Sequence, residues 1–247
     1  MFGARDAAKG PSAKWRVRLY VVGAVVALAV APFALIEAYR AFLRLDAEWR
    51  FVEKVILQPA PGAKGSVAIR WTTSPRIALV NATAEDTAFV QAIVAAVNEV
   101  LEGSGLSARL VEGGTSNVQV YFATQATFDR LAENLGASPF PPTAGFYLVW
   151  PGERLDIATA VAVIEADLSA AERQAAIVHE LAHTLGLRGH SAVFRESVVF
   201  SEGGQRSTAT ALSPVDRKLL RLLYVNLRPA DGWSELRTAY RDYWDAS

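Results

Sequence analysis

"HELAHTLGLRGH", residues 179–190, holds all three histidines of a 247-residue chain. The residues before it, "SAAERQAAIV" (169–178), read as a helix entrance. Ser169 can accept from the Glu172 amide while the Glu172 carboxylate reaches back to Ser169. Ala171, Ala175, Val178, Leu181, Ala182 and Leu185 supply one apolar face, so the spacing predicts a helix over 170–186. His179 and His183 are four residues apart, which at about 100° per residue points both rings the same way. Two imidazoles on adjacent turns can hold one Zn²⁺ at about 2.0–2.1 Å each. Glu180 lies about 60° round the helix from His183, where it can reach a metal-activated water without ligating the metal. Gly186 is placed to end the helix in a left-handed conformation and reverse the chain. The reversal can return His190 as a third ligand, and three protein ligands plus an open position is the catalytic zinc pattern.

On the N-terminal side, "TAEDTAFVQAIVAAVNEVLEG" (83–103) predicts a long helix, capped by Thr83 with Asp86 and stopped at Gly103. "VAIRWTT", "RIALV", "ARLVE", "NVQVYFA", "GFYLVW" and "DIATAVAVIEAD" read as strands. "TFDRLAENLG" reads as a short helix. Past the histidines, "SPVDRKLLRLLYV" is a further helix with Ser213 as cap and Pro214 in its first turn, and "WSELRTAYRDYW" is the last. Strands alternating with helices imply a layered α/β or α+β domain.

The N-terminal end has a different composition. "LYVVGAVVALAVAPFALI", residues 19–36, carries no charge, which is nearly enough helix to cross a hydrocarbon core of about 30 Å. Arg5, Lys9, Lys14, Arg16 and Arg18 precede it, so residues 1–18 are expected to stay cytoplasmic and the remainder to face outward. Two readings stand: an uncleaved signal-anchor over 19–36, or a signal peptide cleaved near "ALAVA". Residues 37–65 read as a juxtamembrane helix and linker ending in "QPAPGAKGS", and residues 66–247 as the functional domain.

Several function classes are excluded. The chain has no cysteine, hence no disulfide and no thiolate metal site. Its formal net charge is zero, which offers nothing to nucleic acid. No histidine lies outside the cluster, so no serine can be activated in a Ser-His-Asp triad. "GSG" and "EGG" lack the strand-loop-helix setting of a phosphate loop. "GGQRSTATA" (203–211) has the composition of a polar surface loop, or of a mobile loop beside the site.

"HELAHTLGLRGH" resembles the extended zinc signature of the metzincin clan of metallopeptidases, H-E-x-x-H-x-x-G-x-x-H. More narrowly, the chain resembles an uncharacterised bacterial family of exported zincin-like proteins, over roughly residues 66–226. The downstream "ESVVF" followed by "LSPVDRKLLRLLY" has the matrixin-like layout of a tight turn and then a helix. Two departures are visible. Gly189 occupies the position of the third histidine and His190 follows one residue late, leaving Glu196 or Glu202 as alternative third ligands. The only methionine is Met1, so Val199 stands where that clan carries its turn methionine, and Phe200 offers no hydroxyl.

The resemblance implies an α+β, zincin/metzincin-like fold, a twisted mixed sheet with a long backing helix and an active-site helix, and the uncharged run 19–36 puts one transmembrane helix before it. It implies a zinc metalloendopeptidase with His179, His183 and His190 on Zn²⁺ and Glu180 as general base. The substrate is expected to be a peptide or protein, extended against an edge strand such as "NVQVYF". The expected location is the bacterial inner membrane, single-pass, with the domain periplasmic, or secretion after cleavage. The alternative function is a catalytically inactive zincin-like binding or scaffold module of the cell envelope.

Overall fold

The computed structural model describes residues 35, 39, 44–60, 62–112, 114–137 and 144–244. Apart from Leu35, the expected membrane segment lies outside them. Among the described residues no helix is long and apolar enough to cross a membrane. Contacts divide the chain into two units, Met1–Ala47 and Glu48–Ser247. Among the described residues, the second holds every strand and all three histidines.

This unit begins earlier than residue 66. Residues 48–56 form helix α1, whose Phe51, Val52, Val55 and Ile56 are completely buried. Apolar residues at that spacing give a stripe that must meet a core, and here they join the principal apolar cluster. The stretch expected to be juxtamembrane helix and linker therefore contributes core.

A two-residue ladder comes next, β1 (Gln58–Pro59) antiparallel to β2 (Ser66–Val67). The longer strand expected over "VAIRWTT" does not form. Ala68 instead exchanges backbone hydrogen bonds with the 230–231 loop, while Ile69 and Trp71 turn inward.

The main sheet comprises β3 (Arg76–Val80), β4 (Arg109–Leu110), β5 (Val118–Ala123), β6 (Gly145–Pro151) and β7 (Ile157–Glu165), in the order β4-β3-β5-β7-β6. All neighbours are parallel except β6, which runs antiparallel to β7 at one edge. This is a mixed α+β sheet, as expected. However, β5 ("VQVYFA") is central, hydrogen-bonded to β3 and β7, so it cannot accept an added strand. The edges are β4 and β6.

Side chains alternate across β7 as a strand requires. Ala160, Ala162 and Ile164 enter the principal core, whereas Val161 and Val163 enter a smaller cluster with Phe128, Ala132 and Phe146. Helix α2 (Ala84–Leu101) carries both bonds of the Thr83–Asp86 capping box. Helix α3 (Gln125–Leu135) supplies Phe128 and Ala132 to the smaller cluster, and α4 (Ala170–Thr184) packs on β7 and β6. Helix α5 (Pro214–Arg221) is shorter than predicted and widens into a π turn over Leu222–Asn226. The Arg70 guanidinium donates to the Tyr224 carbonyl of that turn. Helix α6 (Trp233–Ala239) widens likewise over Tyr240–Trp244. Between α4 and α5 lies a hairpin, β8 (Ser201–Glu202) with β9 (Gln205–Arg206).

Candidate metal centre

Helix α4 starts as its sequence dictates: Ser169 Oγ accepts the Glu172 amide and the Glu172 carboxylate accepts the Ser169 amide. Its far end sits deep in the core, where unpaired carbonyls are costly. Trp71 Nε1 donates to Thr184 O at 2.9 Å and the Tyr224 hydroxyl to Leu185 O at 2.8 Å. Gly186 then turns the chain with φ +100°, and an added Cβ would meet Ile69 O at 2.5 Å. No other residue fits that turn.

The extra residue of the loop has a different reason to be glycine. At Gly189 a Cβ would lie 1.9 Å from the Lys54 carbonyl of α1. Its amide donates to Val55 O at 3.1 Å, satisfying one of the carbonyls that the end of α1 leaves open. Arg188 is tied on both sides: Tyr147 of β6 donates its hydroxyl to Arg188 O at 2.7 Å, and Arg188 Nη2 donates to Pro59 O at 3.0 Å. The longer loop is thus docked on α1 and β6, and that path delivers His190.

The Nε2 atoms of His179, His183 and His190 form a triangle with every side 3.1 Å. Glu196 and Glu202, the alternative third ligands, are exposed and outside this group, and Glu202 pairs with Arg195 at 3.5 Å. His179 Nδ1 lies 2.6 Å from Val198 O, and His183 Nδ1 contacts Leu187 O. A carbonyl only accepts, so both Nδ1 atoms carry the ring proton and both Nε2 atoms present lone pairs. His183 is fully buried and His179 nearly so. Burial is the leading cause holding both rings neutral, with neighbouring imidazole adding; His179 is lowered to about 4 and His183 well below its ordinary value. His190 is lowered by burial and by Arg206 and Lys54.

Neutral rings aiming lone pairs at one another across 3.1 Å repel. A cation at their common focus removes that repulsion. Nitrogens so spaced lie about 1.8 Å from their centre, close enough for all three to hold one ion at the ~2.0–2.1 Å of a zinc–imidazole bond. The residues present therefore fit a metal.

Glu180 is buried beside them, and burial pushes its carboxyl up to about 8 against the lowering field of Arg206. Strand β6 presses on it, since a Cβ on Gly145 would lie 2.8 Å from Glu180 Cγ. Tyr147, two residues on, stacks on the His183 ring at 4.1 Å with 14° between planes.

A second layer fixes His179. Asp216, fully buried in the first turn of α5, accepts from Ser197 Oγ (2.6 Å), Val198 N (3.1 Å), and Ser213 N and Oγ (2.9 and 2.6 Å). It thereby holds the backbone whose Val198 carbonyl orients His179. Val199, in the place of the expected methionine, is completely buried beneath this turn. Sequence reading found the histidines, Glu180 and Gly186. It missed Tyr147, Gly145 and Asp216, of which only Asp216 left a local signal, at the third position of a Ser-Pro helix start.

The chain matches the family described as "Protein of unknown function (DUF2927)" over residues 46–234, and belongs to it. No curated protein matches it. Two solved structures of myroilysin are each 14% identical with a TM-score of 0.39. One match covers 69% of this chain and 98% of the other, the second 64% and 83%. Likeness at that level carries no argument about this chain, whose site is read from its own geometry.

Proposed function

We propose that this DUF2927 protein is a metal-dependent peptidase of the metzincin-like type, most simply a zinc metalloendopeptidase. The observation that carries the reading is the triangle of three imidazole Nε2 atoms, 3.1 Å on a side, with Glu180 on the same helix. His179, His183 and His190 would hold Zn²⁺. A zinc ion there polarises a carbonyl and acidifies water.

The chain's own residues do the rest. Glu180 takes the proton of the attacking water and passes it to the leaving amine. Val198 O and Leu187 O keep the rings of His179 and His183 in the ligating tautomer. Tyr147 stacked on His183 prevents ring rotation. Strand β6, with no strand on its outer edge among the described residues, can pair with an extended peptide running past Glu180. We further assign residues 19–36 as a membrane anchor that places the domain outside the bacterial inner membrane.

The test uses the full chain. Wild type should retain one zinc per chain and cut unstructured peptide, while His183→Ala should lose both. Glu180→Gln should keep the metal and lose hydrolysis. Hydrolysis surviving in Glu180→Gln sinks the mechanism, and a wild-type chain that takes up no metal sinks the metal site. Bound metal without hydrolysis of any peptide favours the inactive scaffold.

A further inference from the structure

The polar stretch "GGQRSTATA" closes on the metal centre. Gly203 and Gly204, both at positive φ, turn the β8–β9 hairpin. The Ser207 amide donates to Phe200 O at 3.1 Å, folding the outgoing strand back toward the site. Arg206, Ser207 and Thr208 then form one wall of a cavity of about 240 Å³. Facing them is α4, with Ala175 and Ala176 as buried floor and His179 and Glu180 at the inner end.

This cavity combines an apolar floor with donors at one wall. Ala175 is buried and lines the cavity. Arg206 is the one arginine or lysine among the described lining residues. Ser207 Oγ accepts the Ala209 amide at 3.2 Å, which leaves its O–H to donate. The carboxylates of the wall are Glu180 and Glu172, and Glu172 already takes the Ser169 amide at 3.2 Å and hydroxyl at 2.5 Å.

We propose that the cavity takes a carboxylate of the substrate, held by Arg206 with Ser207 and Thr208, its stem lying on the alanine floor. The substrates are then peptides carrying a carboxylate next to the scissile bond, supplied by an acidic side chain or by the chain's own C-terminus. This rests on the peptidase reading.

The experiment has two arms on the full chain, each with wild type, Arg206→Gln and Arg206→Lys. In the first, peptides carrying Glu, Gln or Lys beside the cleaved bond are compared, each ending as free acid or amide. The carboxylate form should be favoured about 10–100-fold in kcat/KM, and Arg206→Gln should erase the preference with metal content unchanged. Arg206→Lys should keep part of it.

The second arm measures binding by calorimetry on metal-free protein. N-acetylglutamate α-amide offers a side-chain carboxylate, N-acetylleucine an α-carboxylate, and N-acetylglutamine α-amide neither. Arg206-dependent binding of the first assigns acidic side chains, and of the second the chain terminus. Binding no tighter than that of the glutamine amide, or binding undiminished in Arg206→Gln, overturns the carboxylate site. Arg206-dependent binding without hydrolysis of any peptide keeps the carboxylate site and removes the peptidase. Hydrolysis indifferent to carboxylate and to Arg206 does the reverse.

Discussion

Replacing Gly189 by alanine tests how the third histidine reaches its place. The new Cβ would stand 1.9 Å from Lys54 O and 2.7 Å from Gln58 Nε2. The glutamine side chain can swing away, but the Lys54 carbonyl is fixed by its helix. A carbon and an oxygen need about 3 Å or more, so the loop must retreat by about 1 Å. Metal–nitrogen bonds tolerate errors of about 0.2 Å. His190 is the next residue, so its Nε2 leaves the triangle while His179 and His183, on α4, stay. Zinc affinity should fall at least about 10–100-fold, the range for losing the support that orients a ligand. Stability should fall by about 1–3 kcal/mol, as for overpacking elsewhere.

The assay is competition for zinc with a chromophoric chelator, accompanied by thermal melts. Gly114→Ala serves as control, since nothing lies within 4 Å of its added Cβ. If Gly189→Ala binds zinc within about twofold of wild type and melts cooperatively, the close approach to α1 does not set His190, and the argument fails.

Three other perturbations probe the surrounding layer. Gly145→Ala puts a Cβ 2.8 Å from Glu180 Cγ and 2.9 Å from Val163 O; it should cut kcat about 100-fold or more with zinc retained, because a misplacement near 1 Å is that costly, and unchanged kcat would count against Glu180 as base. Asp216→Asn presents amide hydrogens where four donors converge; it should cost about 1–3 kcal/mol in denaturant melts and weaken zinc about tenfold through His179, whereas an effect on stability alone would detach Asp216 from the metal. Metal-free protein should lose melting temperature as pH falls from about 6.5 to 4: the unfolded chain protonates all three histidines from about 6.5 while burial holds the folded rings lower, and these protons outnumber the one that folded Glu180, raised to about 8, keeps across that window. A flat melting temperature there would mean the rings are not buried neutral.

What the sequence discloses and what it hides divide along contact range. The capping boxes of α2, α4 and α5 are each closed within three residues, and all are legible as strings. His179, Glu180 and His183 follow from one helical repeat. The alternation in "VQVYFA" signals a strand, but not its neighbours. Its central place depends on parallel pairing with strands over 30 residues away, and the alternation alone reads equally well as an edge. Tyr147, Gly145 and Arg206 reach the site only by tertiary contact. Nothing in "GFYLVW" says that its tyrosine will stack on a histidine.

The two glycines of the ligand loop look alike in sequence and act differently in space. Gly186 is required by conformation, at φ +100°, and by Ile69 O behind it. Gly189 has no left-handed φ and is required only because α1 passes against it. The additional residue that separates this chain from the H-x-x-G-x-x-H spacing is therefore not slack. It is the residue at which the loop hydrogen-bonds the end of α1, through Val55 O. A helix that composition assigns to a linker thus helps to set a ligand. A domain cut at residue 66 would remove Lys54, Val55 and Pro59 together, the α1 backstop of Gly189 and the carbonyl partner of Arg188. Of the anchors that Arg188 and Gly189 make on α1, β1 and β6, Tyr147 on Arg188 O would remain. One hydrogen bond does not define a ring position to the few tenths of an ångström that a metal needs. The metal-binding unit consequently starts with α1, and its third ligand is as much a product of residues 54–59 as of the motif that contains it.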